Sequence, residues 1–398
     1  MQGKIIIPKN VLHILKTLEN AGFESYVVGG SVRDFLRGEV PKDWDVATQA
    51  APHKVKGLFP RTVDTGIKHG TVTVLMGKER VEVTTFRVDG EYLDRRRPEH
   101  VDFTKEIHED LSRRDFTMNA IAYSPDRGFV DPFEGRVDIE IKIIRSVGDA
   151  RMRFGEDALR MLRAIRFAGV FGFVIEESSC EAISELRENI QNVSAERIRD
   201  ELGKLLLGEH PEALDYLRST GLMPFVLRDA GDAGLSAGLS EIIDQMKKAP
   251  ADEPIRLALF FNRFGEKVPD ILRALRFDNK TKRTVSHYIR YLHEPTPPCR
   301  VRTKKLMRLI PPDVLENLLG LKEIVGYENL DPVRCILRDI IDTGECYSLS
   351  QLKISGRELI ALNIEPGKKI GETLETLLEA VIHDPSLNEK EKLVAMIT

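Results

Sequence analysis

The segment YVVGGSVRDFLRGEVPKDWDVAT, residues 26–48, constrains this chain more than any other feature. A short β-rich run, Ser25–Val28, reaches Gly29 and Gly30, and a helix is predicted from Ser31 to Arg37, ended by Gly38. Glycines let a backbone approach a phosphate, and the first N–H groups of a helix present the positive end of its dipole. Arg33, on the first turn, adds a charge-assisted bond. No GK[ST] follows, so this is not a Walker loop. Taken alone, a Gly-Gly turn is as readily a tight connection.

Downstream, Asp43 and Asp45 lie two apart in a predicted strand, Asp43–Thr48, so both carboxylates leave the same face while Trp44 and Val46 turn to the core. Such a pair repels unless a cation sits between its members, and Mg²⁺ with substrate phosphates suits it. Two ions about 3.5–4 Å apart would activate an attacking hydroxyl and stabilise a leaving pyrophosphate. The plain alternative is a solvated strand edge. Glu82 alternates with Val81 and Val83 on a further predicted strand, and this third carboxylate either completes a metal cage or orients a base. Gly-Gly-x-x-Arg, Asp-x-Asp and a lone strand carboxylate, in that order, point to metal-dependent nucleotidyl transfer.

The chain has 398 residues, more than one ordinary domain. Up to about residue 140 it reads as α/β, with a helix over Asn10–Ala21 and strands over Thr71–Met76 and Arg80–Arg87; Gly77 and Lys78 connect these two strands as an antiparallel hairpin. After residue 145 helical periodicity takes over: Glu156–Val170, Ser194–Leu207, Pro211–Thr220, Ile255–Phe264, Thr281–Leu292, Thr303–Ile310 and Gly371–Ile382. No apolar run approaches the ~20 residues of a membrane span, and the N-terminus lacks a signal-peptide pattern, so a cytoplasmic location is expected. Cys180, Cys299, Cys335 and Cys346 show no metal spacing and are read as reduced, mostly packed thiols.

These residues resemble the DNA polymerase beta-type nucleotidyltransferase superfamily, and the chain resembles bacterial class II CCA-adding enzymes, with bacterial poly(A) polymerases as close kin. The resemblance is strong over roughly residues 20–210, weaker through 210–340 and faint from Ile354 to Thr398. It implies an α/β head with flanking helices followed by an all-α neck, body and tail in an elongated multi-domain arrangement. The corresponding ranges are 1–142 (catalytic head), 143–208 (neck, nucleotide selection), 209–298 (body) and 299–398 (tail, tRNA binding). It implies Mg²⁺ as cofactor, CTP and ATP as donors, and the 3′ end of tRNA as acceptor.

The stretch SRRDFTMNA, residues 112–120, resembles the family's nucleotide-recognition element, and Arg114 is assigned to the nucleotide; read without the family, Asp115 is a helix-terminal carboxylate or a partner of Arg113. In EDALRMLRAIRF, residues 156–167, Ala158, Met161, Leu162, Ile165 and Gly169 share one side of a helix. Asp157, Arg160 and Arg163 share the other, with Arg166 continuing the stripe. Pairing of Asp157 with Arg160 explains part of it, yet three arginines to one acid call for an anion. The family's EDxxR motif places Asp157 and Arg160 against the Watson–Crick edge of cytosine or adenine. A carboxylate accepts from their exocyclic amine, while guanine and uracil present a carbonyl there and are rejected. Arg163 and Arg166 then serve the triphosphate or primer end.

The charged segment 86–110 resembles the family's flexible loop, whose length favours addition of the terminal A; its alternative is a solvated surface loop. Residues 193–197 read as a structural helix start capped by Ser194. The chain carries a net charge of −4, but residues 277–310 hold nine Lys or Arg against Asp278 and Glu294, a net +7. Lys280, Lys282, Arg283, Arg302, Lys304 and Lys305, interleaved with Tyr288 and Tyr291, are candidate tRNA contacts; a solvated charged helix pair is the alternative. The competing functions are a poly(A) polymerase, an A-only or CC-only enzyme, and a non-catalytic RNA-binding relative.

Overall fold

The computed structural model describes residues 5–77, 79–89, 101–228 and 235–397. Its chain forms two compact units, residues 1–243 with 270–277, and residues 244–269 with 278–398. In the first, α1 (Lys9–Asn20) leads to β1 (Ser25–Val28), α2 (Gly30–Leu36), β2 (Asp45–Thr48), α3 (Pro52–Leu58), β3 (Thr62–Gly66), β4 (Thr71–Met76) and β5 (Glu79–Thr85). The pair β6 (Arg87–Asp89) and β7 (Val101–Phe103), α4 (Ile107–Ser112), β8 (Ala122–Ser124), β9 (Gly128–Val130) and α5 (Gly135–Glu140) follow. Among the described residues β1–β5, β8 and β9 form one mixed sheet, ordered β3-β4-β5-β2-β1-β8-β9.

Register decides what this sheet presents. Antiparallel β1–β2 sets Val28 opposite Asp45, and parallel β2–β5 sets Asp45 beside Glu82. Val81 and Val83 are buried while Glu82 is exposed, the alternation expected of a half-buried strand. The face that carries Asp45 also carries Tyr26, Val28 and Ala47, which join Phe86, Ile107, Leu111, Ala120 and Ala122 in a core. β4 and β5 are antiparallel neighbours with Met76 opposite Glu79, as expected, although Lys78 lies outside the described residues. Three expectations are corrected. β2 begins at Asp45, not Asp43, because its partner β1 ends where Gly29 (φ 70°) turns the chain away, leaving residues 43 and 44 without a ladder. Trp44 is half-buried and borders the same cleft as its aspartate neighbours. The segment 86–110 is not all loop: β6 and β7 pair at its ends and α4 closes it, while residues 90–100 lie outside the described set.

The rest of this unit is mainly helical. A short parallel pair, β10 (Ile143–Ile144) and β11 (Val174–Ile175), brackets α6 (Ala150–Glu156) and α7 (Leu159–Phe171). Then come α8 (Glu177–Leu186), α9 (Ala195–Leu206), α10 (Leu214–Ser219), α11 (Met223–Val226) and, reaching the edge of the unit, α12 (Leu235–Lys248). The helix expected over 156–170 is α7, which begins only at Leu159: Glu156 ends α6, and the extended backbone of Asp157 (φ −139°, ψ 102°) separates the two. α7 packs on α9 and the turn after it so closely that a Cβ on Gly208 would stand 2.3 Å from the carbonyl oxygen of Gly169.

The second unit is helical: α13 (Glu253–Phe261), α14 (Val268–Ala274, divided between the units), α15 (Asn279–Leu292), α16 (Arg300–Leu309), α17 (Pro312–Ile324), α18 (Asp331–Asp342), α19 (Gly356–Ala361), α20 (Lys368–His383) and α21 (Lys390–Ala395). α17 and α18 were not foreseen. A satellite core of Cys346, Ile354, Leu359, Leu377, Leu378, Val381 and Leu393 holds its C-terminal part. Of the four free thiols only Cys346 is buried and Cys180 half-buried; Cys299 and Cys335 are exposed, contrary to expectation. No described helix is long and apolar enough to cross a membrane.

Candidate active site

Two adjoining hollows meet at Asp45. Asp43, Asp45 and Glu82, with Trp44, Thr65, Thr73 and Arg80, border a cleft of about 550 Å³. The crowding of protein around Asp45, then the charges of Glu82 and Asp43, raise its carboxyl above the ordinary Asp value, and Arg114 alone opposes them. Among the described residues no three His, Cys, Asp or Glu side chains form a ready metal cage. Glu82 shares the cleft with the aspartate pair. The donors present, hard carboxylate oxygens whose mutual repulsion Arg114 relieves only in part, fit a divalent cation whose remaining ligands come from phosphate and water.

The second hollow, about 500 Å³, is bordered by Gly29, Gly30, Asp45, Asn119 and Phe167 and by a concentration of charged groups that includes Arg33, Arg113, Arg114, Asp115, Asp157, Arg160, Arg163, Arg166 and Arg197. Gly29 is required here: a Cβ at its positive φ would lie 3.1 Å from Arg114 Nη1. Arg114 donates from Nη2 to Asp110 Oδ2 (3.1 Å) and from Nη1 to the Asn119 carbonyl (3.4 Å), while its buried Nε has no protein partner among the described residues. Arg33 donates to Asp34 and, at 2.7 Å, to Asn119 Oδ1, and its guanidinium lies 5.3 Å and 4.7 Å from the ring centroids of Phe167 and Phe171.

The arginine stripe finds more acids than its own helix supplies. Asp157 does not pair with Arg160. Its Oδ1 accepts from the Leu159 N–H (3.1 Å), and Arg197 grips both oxygens at 3.3 Å and 2.7 Å. Arg160 is buried, donating to Glu156 (2.7 Å) and to the carbonyls of Arg153 and Arg113. Arg163 binds Asp115 Oδ2 through Nε and Nη2, at 3.0 Å and 2.6 Å, and Arg166 binds Glu201 at 2.7 Å while lying 3.6 Å from the Phe167 centroid. The anions this stripe calls for are thus supplied in part by distant acids. Asp115 binds Arg163 and accepts from the Phe116 N–H, while Arg113 binds Asp110. Despite burial, Arg163 and a hydrogen bond from Asn119 hold the Asp115 carboxyl far below the usual range. In turn Asp115 and Glu201 hold Arg163 charged, whereas burial lowers Arg166.

Arg197, Asn119 and Glu201 were missed. Arg197 carried a signal: a cation on the first turn of α9 is opposed by the helix dipole and so implies a carboxylate from elsewhere in the fold. Ser194 precedes α9 but makes no side-chain cap bond. In the second unit, Lys280, Arg283 and Arg302 are exposed, Lys282 is half-buried, and exposed Lys305 pairs with Glu379. Lys304 is corrected: it is fully buried, its Nζ 2.5 Å from Glu345 and donating to the Ile382 carbonyl, so it is closed to an RNA phosphate. Tyr288 and Tyr291 are buried too, unavailable for base stacking; burial pushes the Tyr288 hydroxyl up to about 12.

The chain matches known proteins along most of its length. Residues 25–145 match the poly A polymerase head domain, residues 172–232 a probable RNA and SrmB-binding site of polymerase A, and residues 255–397 a putative tRNA nucleotidyltransferase domain 2. The chain is 37% identical to the CCA-adding enzyme of Lactobacillus helveticus over 93% of its own length and 91% of that protein. It is also 37% identical to that of Leuconostoc mesenteroides over 96% and 93%. Among solved structures, the Bacillus stearothermophilus CCA-adding enzyme in complex with CTP superposes with a TM-score of 0.84 at 31% identity, covering 98% and 97% of the two chains. A Thermotoga maritima CCA-adding enzyme complexed with tRNA shares the fold, with a TM-score of 0.64 at 22% identity over 98% and 96%.

Proposed function

The chain belongs to the CCA-adding enzymes, the tRNA nucleotidyltransferases, and we propose that its activity is centred on Asp45, where the carboxylate cleft and the arginine-bordered hollow meet. It adds CCA to the 3′ end of tRNA from CTP and ATP without a nucleic-acid template, releasing pyrophosphate. Residues 1–142 serve as catalytic head, 143–208 as the nucleotide-selecting neck, 209–298 as body and 299–398 as tail.

Nucleotidyltransferases of this family use a divalent metal, here assigned as Mg²⁺ on Asp43 and Asp45. When bound, it lowers the pKa of the attacking hydroxyl and neutralises charge on the leaving pyrophosphate. Everything else is positioning by the protein. The glycine turn leaves room for the triphosphate beside Arg33, and Arg114 keeps an unused donor, Nε, for the nucleotide. Glu82 sustains the negative field that draws the cation to Asp45. Asp157 and Arg160 read the base edge, one fixed by Arg197 and the other by Glu156 and two backbone carbonyls. Arg163 and Arg166 shape the wall beside them more than they bind phosphate, since both are held by acids. Lys280, Lys282, Arg283, Arg302 and Lys305 are the tRNA contacts of the second unit.

The juncture at Asp45 carries this reading, and tRNAs ending at the discriminator base, at C and at CC test it. With CTP alone the first should gain two residues and the second one; with ATP alone only the third should gain one. Asp45→Ala should abolish all three extensions, a rate loss of at least about a thousandfold. Extension by Asp45→Ala at the native rate would remove the metal assignment. Continued growth on ATP alone would mark a poly(A) polymerase instead.

A further inference from the structure

The charged groups around the nucleotide hollow are not separate ion pairs; they close into a ring. Asn119 Nδ2 donates to Asp115 Oδ1 (3.0 Å), and Asn119 Oδ1 accepts from Arg33 Nη1 (2.7 Å). Asp115 is bound by Arg163, whose Nη1 lies 3.6 Å from Glu201 Oε1. Glu201 accepts from Arg166, Arg166 lies over Phe167, and Phe167 faces Arg33 again. The Asn119 carbonyl also receives Arg114. The side chain thus joins the triphosphate arginine to the carboxylate that anchors α7, while the main chain of the same residue holds the nucleotide arginine.

Chemistry restricts what can occupy this node. The group must accept from a guanidinium on one side and donate to a carboxylate 3.0 Å away on the other, while 93% withdrawn from solvent. A primary amide does both. A carboxylate would accept from Arg33 but set a second negative charge against Asp115, and an alkyl group would leave both neighbours short of a bond in a confined space. A single turn of 3₁₀-helix, Thr117–Asn119, fixes the backbone, with Thr117 tied to Asp138 (2.7 Å) and to the Arg145 carbonyl (3.0 Å). Nothing in the proposed chemistry uses the amide directly.

We infer that Asn119 is a positioning residue that couples the phosphate-binding Arg33 to the Asp115–Arg163 anchor of the selection helix, so that the triphosphate and base ends of the nucleotide are seated together. The inference rests on the proposed function, which makes CTP or ATP the ligand, gives Arg33 its phosphates and gives α7 its base.

Equilibrium binding of CTP and ATP to the full chain, in a double-mutant cycle of Asn119→Ala with Arg33→Ala, tests it. Asn119→Ala should raise both dissociation constants by the same factor, about tenfold, with the melting temperature within a few degrees of the wild type. The double variant should bind no worse than Arg33→Ala alone, to within about twofold, because the amide acts through that arginine. Asn119→Asp, the same size, should be worse than Asn119→Ala, by about tenfold more, since its charge neutralises Arg33 and repels Asp115. Under either single substitution the CTP-to-UTP incorporation ratio should hold. Losses that multiply in the double variant, or native CTP affinity in Asn119→Asp, would overturn the inference. Incorporation into tRNA by the wild type is read alongside: its absence would count against the proposed function, whereas the binding cycle judges Asn119 by itself.

Discussion

Asp115 shows how much a single buried carboxylate can be made to hold. It accepts from two nitrogens of Arg163, from the Asn119 amide and from the Phe116 N–H, and its carboxyl stays ionised far below the ordinary range. Removing Arg163 leaves that charge with neutral partners in a poorly solvated place. Arg163→Leu should therefore lower stability by about 2–3 kcal/mol at pH 7, somewhat less than breaking a fully buried pair costs, because the arginine is 31% exposed. The sign with pH follows from the depressed carboxyl. Its contribution is complete above the unfolded value of about 3.9 and is lost as pH falls toward the folded one. Wild type should thus lose more than the variant below about pH 4, and the gap between their urea midpoints should narrow. A gap that stays constant from pH 7 to pH 3 would show that the ion pair is not its source.

At the scale of elements, base reading depends on where two helices meet. Asp157 caps the end of α6, and Arg197 reaches it from the first turn of α9 with its two terminal guanidinium nitrogens. Arg197→Gln keeps a donor but gives up the two-pronged grip, so the carboxylate gains freedom to rotate away from a base that repels it. Incorporation of UTP relative to CTP should rise by about tenfold, equivalent to 1.4 kcal/mol of lost discrimination, with CTP affinity changed much less. Measuring the two kcat/KM values decides it, and an unchanged ratio would mean the junction is rigid without Arg197. This junction also marks the boundary of what the chain's pattern conveyed. The strand–turn–helix at 25–37, the β4–β5 hairpin and the outward Glu82 follow from short-range alternation and glycine, and the structure has them. The break at Asp157 was invisible because it depends on a partner 40 residues away. For the same reason Asn119, Glu201 and Arg197 went unread: each matters through a contact between elements, and periodicity reports only one element at a time. α17 and α18 escaped notice although their apolar spacing is regular.

Across the whole chain the excess of acid is misleading, because binding a polyanion depends on where charge is gathered. Residues 277–310 carry the cations, but folding divides them into two kinds. Lys280 and Arg283 are exposed and Lys282 half-exposed on α15, whereas Lys304 is sealed beside Glu345. Only the first kind can displace counterions from RNA. Each phosphate contact contributes about 0.7–0.9 to the slope of log affinity against log salt. The variant Lys280→Gln/Lys282→Gln/Arg283→Gln should therefore flatten the slope for tRNA by about two to three. Lys304→Met serves as the contrast: it removes an equal charge in the same stretch, so if net charge alone governed binding it would flatten the slope by about one. Because that ammonium is already neutralised by Glu345, the slope should stay unchanged while the melting temperature falls, the carboxylate having lost its partner. Equal effects from both changes would mean that the long-range field of the stretch draws tRNA in. Separate effects would place the RNA backbone on the exposed cations of α15.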